Sequence, residues 1–410
     1  MELSPRANQC EGRHGIVRPL LLLVVLLCLS VCAAGQPQAP EKQQRPRRVG
    51  DTENKTTGAQ QPQTQEVDED DIVRVDTQLV SVPAIVTNNL GRPLSGLRQG
   101  NFVVYEDGQK QSIANFGTTE APFEIALLLD TSGSTRADVT LIRQAANAFI
   151  NALRPGDRVA IIAFKDRTNA GLTLATVDVL SKMTDDRKVL SAAIESLGSS
   201  NGTPYYDALG KIAETIFNQP PRKEVRGRRA IVALTDGVDS SSESSYEESR
   251  EKLLRAGVAC YFIQVNTEDF VEDRLLKDCQ DDGRLTLSAR QLQRYRRIFV
   301  PQARSEDYAN YCQLGPFEKL QISRELYNLA RREMNDLART SGARNFVAVN
   351  LQDARAAFAR VAADIGTQYS LGYYPTNKAR DGKYRAIRVE VLGVKEKSEV
   401  HAREGYFAPK

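Results

Sequence analysis

The segment IALLLDTSGS, residues 125–134, joins an uninterrupted apolar run to an acid and two hydroxyls. A short apolar run that ends at an acid predicts a central strand buried on both faces. Asp130 then lies at the carboxyl end of that strand, where open α/β sheets carry their ligand sites, and Gly133 lets the backbone turn tightly. Asp130, Ser132 and Ser134 offer hard oxygen ligands, which suit Mg²⁺, Mn²⁺ or Ca²⁺ and do not suit zinc. The alternative is that these residues only cap the next helix.

Two further loops offer oxygen ligands of the same kind. The small polar loop GSSNGTP, residues 198–204, contains Thr203, and the apolar run 230–234 leads to Asp236. Asp130 and Asp236 both follow predicted strands, so both fall on the carboxyl edge of the sheet. The three loops could therefore converge on one cation. Taken singly, Thr203 could instead cap the following helix, and Asp236 could be only part of a turn.

Composition limits the classes of function. The chain has 410 residues, enough for two or three domains, and a formal net charge of only +3 with 26% charged residues. Nucleic-acid-binding domains usually show a clear basic excess, so no nucleic-acid partner is expected. The two histidines are His14, which falls in the predicted export signal, and His401. A multi-histidine zinc site is therefore excluded, and a catalytic Ser–His or Cys–His pair has His401 as its one candidate.

The first 34 residues are predicted to be an export signal. Three arginines precede the apolar run 20–31, and small residues follow it, with cleavage expected after Ala34. That run is short for a membrane-spanning helix, and no later segment is long enough to span. We therefore expect an exported protein, located in the periplasm, at the cell surface or in the medium. A lipid anchor at Cys32 is the less favoured alternative, because Val31 occupies a position where a small residue is expected.

Three cysteines lie beyond the signal. Cys260 falls in an apolar strand and is predicted to be a buried thiol. Cys279 and Cys312 flank one insertion and could pair in an oxidising compartment. Closing a loop of that size would stabilise the fold by roughly 3–4 kcal/mol in the chain-entropy model.

The remaining chain divides by composition and periodicity. Residues 35–71 are rich in Gln, Pro and charged residues and predict a disordered linker. Residues 72–120 predict a β-rich part, residues 121–365 an alternation of strands and helices, and residues 366–410 further strands that pack with 72–120. Such alternation implies a mostly parallel sheet with helices on both faces. The predicted fold class is therefore α/β, a doubly wound sheet inserted in or flanked by a small β-sandwich.

Further elements of this scheme follow from the local sequence pattern. The sequence favours a polar loop after Phe164 with a short strand at 172–177, a helix at 206–217, a helix at 325–340 and a last strand at 401–407. Between the alternating elements lies an insertion at about 268–322 that is rich in both arginine and acids. The favoured interpretation is a solvated excursion, and the alternative is a lid or a partner surface.

The motifs around the three loops carry a resemblance to a known family. FEIALLLDTSGST (123–135), SSNGTPYYDAL (199–209) and IVALTDGVD (231–239) resemble the von Willebrand factor type A domain with its metal-ion-dependent adhesion site. The resemblance extends over about residues 123–365. It implies that the metal ligands are Ser132 and Ser134 directly, Asp130 and Asp236 directly or through water, and Thr203, which completes the set as the ligand state changes.

The flanking sequences narrow this resemblance. VVYEDGQKQSI before the domain and QYSLGYYPTN, GKYRAIRVEV and REGYFAP after it look like a group of secreted bacterial proteins called acidobacterial VWFA-related. This resemblance implies the same architecture, a type A domain between β-rich flanks, in an exported protein.

A divalent cation held mostly by neutral hydroxyls retains positive charge and attracts one more anionic oxygen, such as the Asp or Glu carboxylate of a protein partner. The sequence therefore predicts an adhesion-type binding module that captures a protein or polymer ligand outside the cytoplasm, and not an enzyme. One alternative is a metal-assisted hydrolase, for which Asp166, Asp207 and Asp239 are the conceivable bases. The other is an envelope protein in which the metal only rigidifies the loops.

Overall fold

The structure is a computed structural model, and it describes residues 79–118, 121–133, 139–169, 171–220, 225, 228–281 and 285–410. The predicted export signal, Cys32, the predicted linker and Ser134 lie outside the described residues. No helix in the described part of the chain combines the length and the apolar character needed to cross a membrane.

The strands are β1 (Val80–Asn88), β2 (Phe102–Glu106), β3 (Gln109–Gln111), β4 (Ile113–Gly117), β5 (Glu124–Leu129), β6 (Arg158–Asn169), β7 (Leu172–Thr184), β8 (Arg229–Thr235), β9 (Ala259–Val265), β10 (Asn345–Ala348), β11 (Tyr369–Tyr373), β12 (Tyr384–Val391), β13 (Ser398–Ala402) and β14 (Gly405–Phe407). The α-helices are α1 (Val139–Ala152), α2 (Arg187–Glu195), α3 (Tyr205–Lys211), α4 (Tyr246–Ala256), α5 (Glu268–Leu275), α6 (Ala289–Phe299), α7 (Pro316–Ser341) and α8 (Ala354–Thr367). A π-helical turn at Ile212–Ile216 continues α3, where the sequence predicted one regular helix.

A six-stranded sheet in the order β10-β9-β8-β5-β6-β7 forms the centre, and all its neighbouring strands are parallel except β6 and β7. Alternate side chains of β5 enter opposite cores: Ile125, Leu127 and Leu129 pack with α1, α2 and α8, whereas Ala126 and Leu128 pack with α3, α4 and α7. Because the inner strands are apolar on both faces, helices must cover both. The predicted doubly wound, mostly parallel sheet is confirmed.

Two four-stranded antiparallel sheets, β13-β1-β11-β4 and β14-β12-β2-β3, form the flanking β-sandwich. Strands from before and after the α/β sheet pair directly, with Val82 opposite Leu371 and Val104 opposite Val389. Side chains from the two sheets share one buried cluster. The hairpin between β2 and β3 turns at Asp107 and Gly108, which both have positive φ, as a two-residue turn of this kind requires.

The edge of the central sheet differs from the prediction. The expected polar loop after Phe164 continues as strand, and β6 and β7 form a long antiparallel ribbon that extends to Thr184. Leu172 and Leu174 are exposed on this ribbon. The sequence pattern did not predict this extension. Most of the outer part of the ribbon has no buried face, and its sequence therefore lacks the alternating apolar pattern of a strand.

The insertion is not the solvated excursion that the sequence favoured. Its apolar side chains form a buried cluster of their own against α7, including Leu275, Leu292, Tyr311 and Ile322. A disulfide joins Cys279 to Cys312. Helix α7 begins nine residues before the predicted 325, with Pro at its first position and its first turns inside the insertion. Most of the described charged residues that suggested a solvated segment, among them Asp273, Arg297 and Arg304, are exposed on the surface of a packed unit, whereas Arg294 is largely buried.

The C-terminal strand predicted at 401–407 is divided into β13 and β14 at Arg403 and Glu404. There the chain crosses the end of α7, where the Glu404 backbone N–H donates to the Thr340 carbonyl. A Cβ on Gly342, which has a φ of +81°, would lie 2.3 Å from the Arg403 backbone nitrogen. The break is therefore imposed by close contact between the sandwich and the end of α7.

Candidate functional site

Asp130 lies at the carboxyl end of β5 and is fully buried. Its Oδ1 accepts a hydrogen bond from the Ser132 backbone N–H at 3.0 Å, and its Oδ2 accepts one from the Thr235 hydroxyl at 2.6 Å. The pKa of Asp130 is raised from its ordinary value of 3.8 to about 6, mainly by burial and secondly by the neighbouring charge of Asp236. Two acids thus sit close enough to repel each other beneath the first loop.

Hydrogen bonds from backbone groups of the second loop join it to the first loop and to the third. The Ser200 N–H donates to the Thr131 carbonyl at 3.0 Å. The Thr203 N–H donates to the Ser240 hydroxyl at 2.8 Å, and the Ser240 N–H donates back to the Thr203 carbonyl at 3.0 Å. The three loops therefore form one connected rim at the carboxyl edge of β5 and β8.

Asp236 follows β8 and is also buried. Its Oδ1 accepts from the Val238 N–H at 3.0 Å, and its Oδ2 accepts from the Thr267 hydroxyl at 2.7 Å. The Tyr327 hydroxyl on α7 lies 2.8 Å from the same Thr267 oxygen. Both oxygens of Asp236 are thus held in place by their neighbours.

Ser132, Thr203 and Asp236 line one cavity of about 110 Å³. Each of these residues is less than a tenth exposed. We call this space the three-loop cavity. Asp130 is not among the residues that line this cavity, and its Oδ1 accepts a hydrogen bond from the backbone N–H of Ser132. The structure thus brings together four of the five predicted ligand residues, and the fifth, Ser134, falls outside the described residues.

The chemistry of these donors fits a hard divalent cation. The buried carboxylates of Asp130 and Asp236 repel each other, a cation bound beside Asp236 would offset that repulsion, and the Ser132 and Thr203 hydroxyls add neutral oxygens. Within the described ranges no group of three or more His, Cys, Asp and Glu residues could hold a metal. A site with two carboxylates and several hydroxyls is a different type, which suits Mg²⁺ and leaves room for an outside ligand.

The acids that a hydrolytic mechanism would use as bases serve as structural acceptors. Asp239 accepts from the backbone N–H groups of Tyr205 and Tyr206, and Asp207 accepts from two backbone N–H groups of the third loop. Asp166 accepts from the Asn201 backbone N–H at 2.9 Å. His401 is in the sandwich, where its Nε2 lies 3.3 Å from the Thr87 hydroxyl.

Sequence reasoning missed the residues that support the ligands. Thr235 and Ser240 hold Asp130 and Thr203, and Thr267 holds Asp236. The position of Thr267 near Asp236 could have been predicted from the sequence. Thr267 follows β9, and the carboxyl ends of neighbouring parallel strands lie at the same edge of the sheet. For Tyr327 no local signal existed, because only the packing of α7 brings it there.

The site lies within a recognised domain class. Residues 125–238 match the family model described as von Willebrand factor type A domain, a range that begins in β5, ends just past Asp236 and includes all three loops. The chain therefore contains a von Willebrand factor type A domain. Domains of this class are commonly protein-interaction modules.

Several solved structures are similar to the chain at low identity. Proximal thread matrix protein 1 from the mussel byssus is 11% identical with a TM-score of 0.37, over 59% of this chain and 47% of that chain. The von Willebrand factor type A protein from Catenulispora acidiphila is 11% identical with a TM-score of 0.36, over 82% of this chain and 75% of that chain. The chain thus spans about half the length of the mussel protein. No curated protein sequence matches the chain.

Proposed function

We propose that this protein is a binding module that captures a protein or polymer ligand through a divalent cation, Mg²⁺ or alternatively Mn²⁺ or Ca²⁺. Asp130, Ser132, Ser134, Thr203 and Asp236 would hold the ion in the manner of a metal-ion-dependent adhesion site. The observation that carries the proposal is the three-loop cavity, where hydroxyls from the first two loops and a carboxylate from the third face one space.

The charge balance explains why such a site would bind a partner. Few charged ligands surround the ion, so it keeps net positive charge and attracts an anionic oxygen from outside. A carboxylate on a partner protein supplies that oxygen. The residues of this chain contribute by holding the ion and fixing the loop geometry, and the acids Asp166, Asp207 and Asp239 accept hydrogen bonds from backbone N–H groups.

We further propose that the protein acts outside the cytoplasm, in the periplasm, at the cell surface or in the medium. The disulfide between Cys279 and Cys312 supports this location, because such bonds persist in oxidising compartments. The predicted export signal points the same way. Kinship with the secreted acidobacterial group stays a prediction.

The proposal is tested by Mg²⁺ titration in a calorimeter, followed by affinity capture from an envelope extract with Mg²⁺ or with chelator. Ser132→Ala should remove both cation binding and metal-dependent capture. Ser199→Ala is the matched control, since Ser199 lies on the second loop but is exposed. Capture that persists unchanged in chelator would contradict the proposal. Cation binding that raises the unfolding temperature without any metal-dependent partner would instead favour a purely structural ion.

A further inference from the structure

The three-loop cavity has a second side that the ligand loops do not supply. The insertion contributes Val271, Leu275, Leu285 and Leu287 to its lining. We call these four residues the apolar wall. Leu275 is 1% exposed, and Val271 and Leu287 are below 10%, so the wall is part of a packed core and not a surface patch.

The apolar wall is fixed to the ligand loops. The Ser288 hydroxyl donates to the Ser240 carbonyl at 2.6 Å, and Ser240 itself is bonded to Thr203. A Cβ on Gly133 would lie 3.9 Å from Leu285 Cδ2, so the wall also contacts the first loop. The distance between the wall and the proposed cation position is therefore set by the fold.

Helix α6 of the insertion is also fixed by buried contacts. Arg294 on α6 donates to Glu333 on α7 at 2.6 Å, and the Tyr206 hydroxyl donates to the other oxygen of the same carboxylate at 2.7 Å. The Arg294 guanidinium also lies over the Tyr206 ring at 4.6 Å. All three side chains are largely buried, so α6 is anchored to the helix that follows Thr203.

A ligand that fills this cavity must complement both the proposed cation on one side and the apolar wall on the other. A volume of about 110 Å³ is on the order of a few water molecules, so one carboxylate and one short side chain fill it. The lining residues Ser132, Asp236 and Leu275 are at most 2% exposed, so a projecting chain end reaches them more readily than a flat protein surface. We propose that the preferred ligand is the C-terminal carboxylate of a chain that ends in a branched aliphatic residue.

This inference rests on the proposed cation, which binds the carboxylate while the aliphatic side chain packs on the apolar wall. The internal Asp or Glu of a partner offers the carboxylate but only a short methylene stem beside it. Each methylene buried on the wall strengthens binding roughly fourfold. A terminal leucine should therefore exceed a terminal glycine by at least about tenfold.

The test uses four probes with the Mg²⁺-loaded protein in a ligand-observed NMR titration: N-acetylleucine, N-acetylglycine, N-acetylleucinamide and N-acetylaspartamide with a free side-chain carboxylate. N-acetylleucine should bind at least about tenfold more tightly than N-acetylglycine and N-acetylaspartamide. N-acetylleucinamide should show no saturable binding. Leu285→Ser should abolish the preference for leucine, whereas Leu276→Ser, on the same insertion but about half exposed, should keep it.

The outcomes separate the two proposals, because Mg²⁺ binding is measured first in the calorimeter. Equal affinity for N-acetylleucine and N-acetylglycine in a protein that binds Mg²⁺ would overturn the aliphatic terminus and leave the cation site standing. Tighter binding of N-acetylaspartamide would overturn it in favour of an internal acid. Absence of Mg²⁺ binding would overturn both proposals.

Discussion

Replacing Asp130 with asparagine should stabilise the metal-free protein at neutral pH. The folded protein holds the pKa of Asp130 at about 6 against an ordinary value of 3.8. Roughly two pKa units correspond to about 3 kcal/mol. Because the pKa of Asp130 is higher in the folded protein, its contribution to the free energy of unfolding is fully present below about pH 4 and is lost as the pH rises through about 6. At higher pH the folded state must carry a buried charge beside Asp236.

Asparagine carries no charge and can still accept from the Ser132 N–H through its carbonyl oxygen. We therefore expect the stability difference between Asp130→Asn and wild type to grow by up to about 3 kcal/mol between pH 4 and pH 8 in chelator. With saturating Mg²⁺ the order should reverse, since only the wild type gains from the ion. Urea unfolding followed by circular dichroism suits a chain without tryptophan. A difference that stays constant across this pH range in chelator would show that Asp130 carries no buried charge that destabilises the folded protein.

Three further variants test the fold around the site. Gly237→Ala should cost about 1–2 kcal/mol and weaken Mg²⁺ binding, because Gly237 has a φ of +76° and its added Cβ would lie 2.6 Å from Met334 Cε. Gly342→Ala should cost more than about 3 kcal/mol, since the new Cβ would clash with backbone of the C-terminal strand; unfolding no easier than in Gly237→Ala would contradict this. Replacing Cys279 and Cys312 with serine opens a loop with a sequence separation of 33 and should cost about 3–4 kcal/mol, measured by urea unfolding against the oxidised wild type.

The central sheet is predictable from sequence because its inner strands are buried on both faces. The runs 125–129 and 230–234 are continuous and apolar, and an acid soon follows each, so both the strands and the sheet edge that carries the acids can be identified locally. The sandwich is predictable in class from alternating strands at 80–88 and 384–391. The structure confirms this fold class.

The insertion could not be predicted in the same way. Its buried residues Leu275, Tyr311 and Ile322 are distant in sequence from one another and meet only after the chain closes on α7. The local composition of the insertion is dominated by arginines and acids, and such a composition indicates a solvated segment. The apolar wall of the three-loop cavity follows from this packing and was equally invisible in the sequence.

The position of the candidate ligands on three neighbouring loops was predictable, because short motifs with recognisable spacing carry them. Metal binding by these residues stays a prediction. The residues that hold these candidate ligands in place could not be predicted in the same way. Ser240 is a common residue in a polar loop, and nothing in its neighbourhood shows that it binds Thr203. Tyr327 is in the middle of a long helix, sixty positions from its Thr267 partner. Such contacts depend on tertiary packing, which periodicity does not report.

The proposed function requires one divalent cation to bind where Ser132, Thr203 and Asp236 face each other. An anomalous difference map from crystals soaked in Mn²⁺ tests this binding at atomic detail. We expect a single strong peak inside the three-loop cavity, about 2.0–2.4 Å from the Ser132 hydroxyl oxygen, and its loss in Ser132→Ala crystals. A cavity without a peak at saturating Mn²⁺, or a peak found only elsewhere on the protein, would show that these residues do not form the cation site.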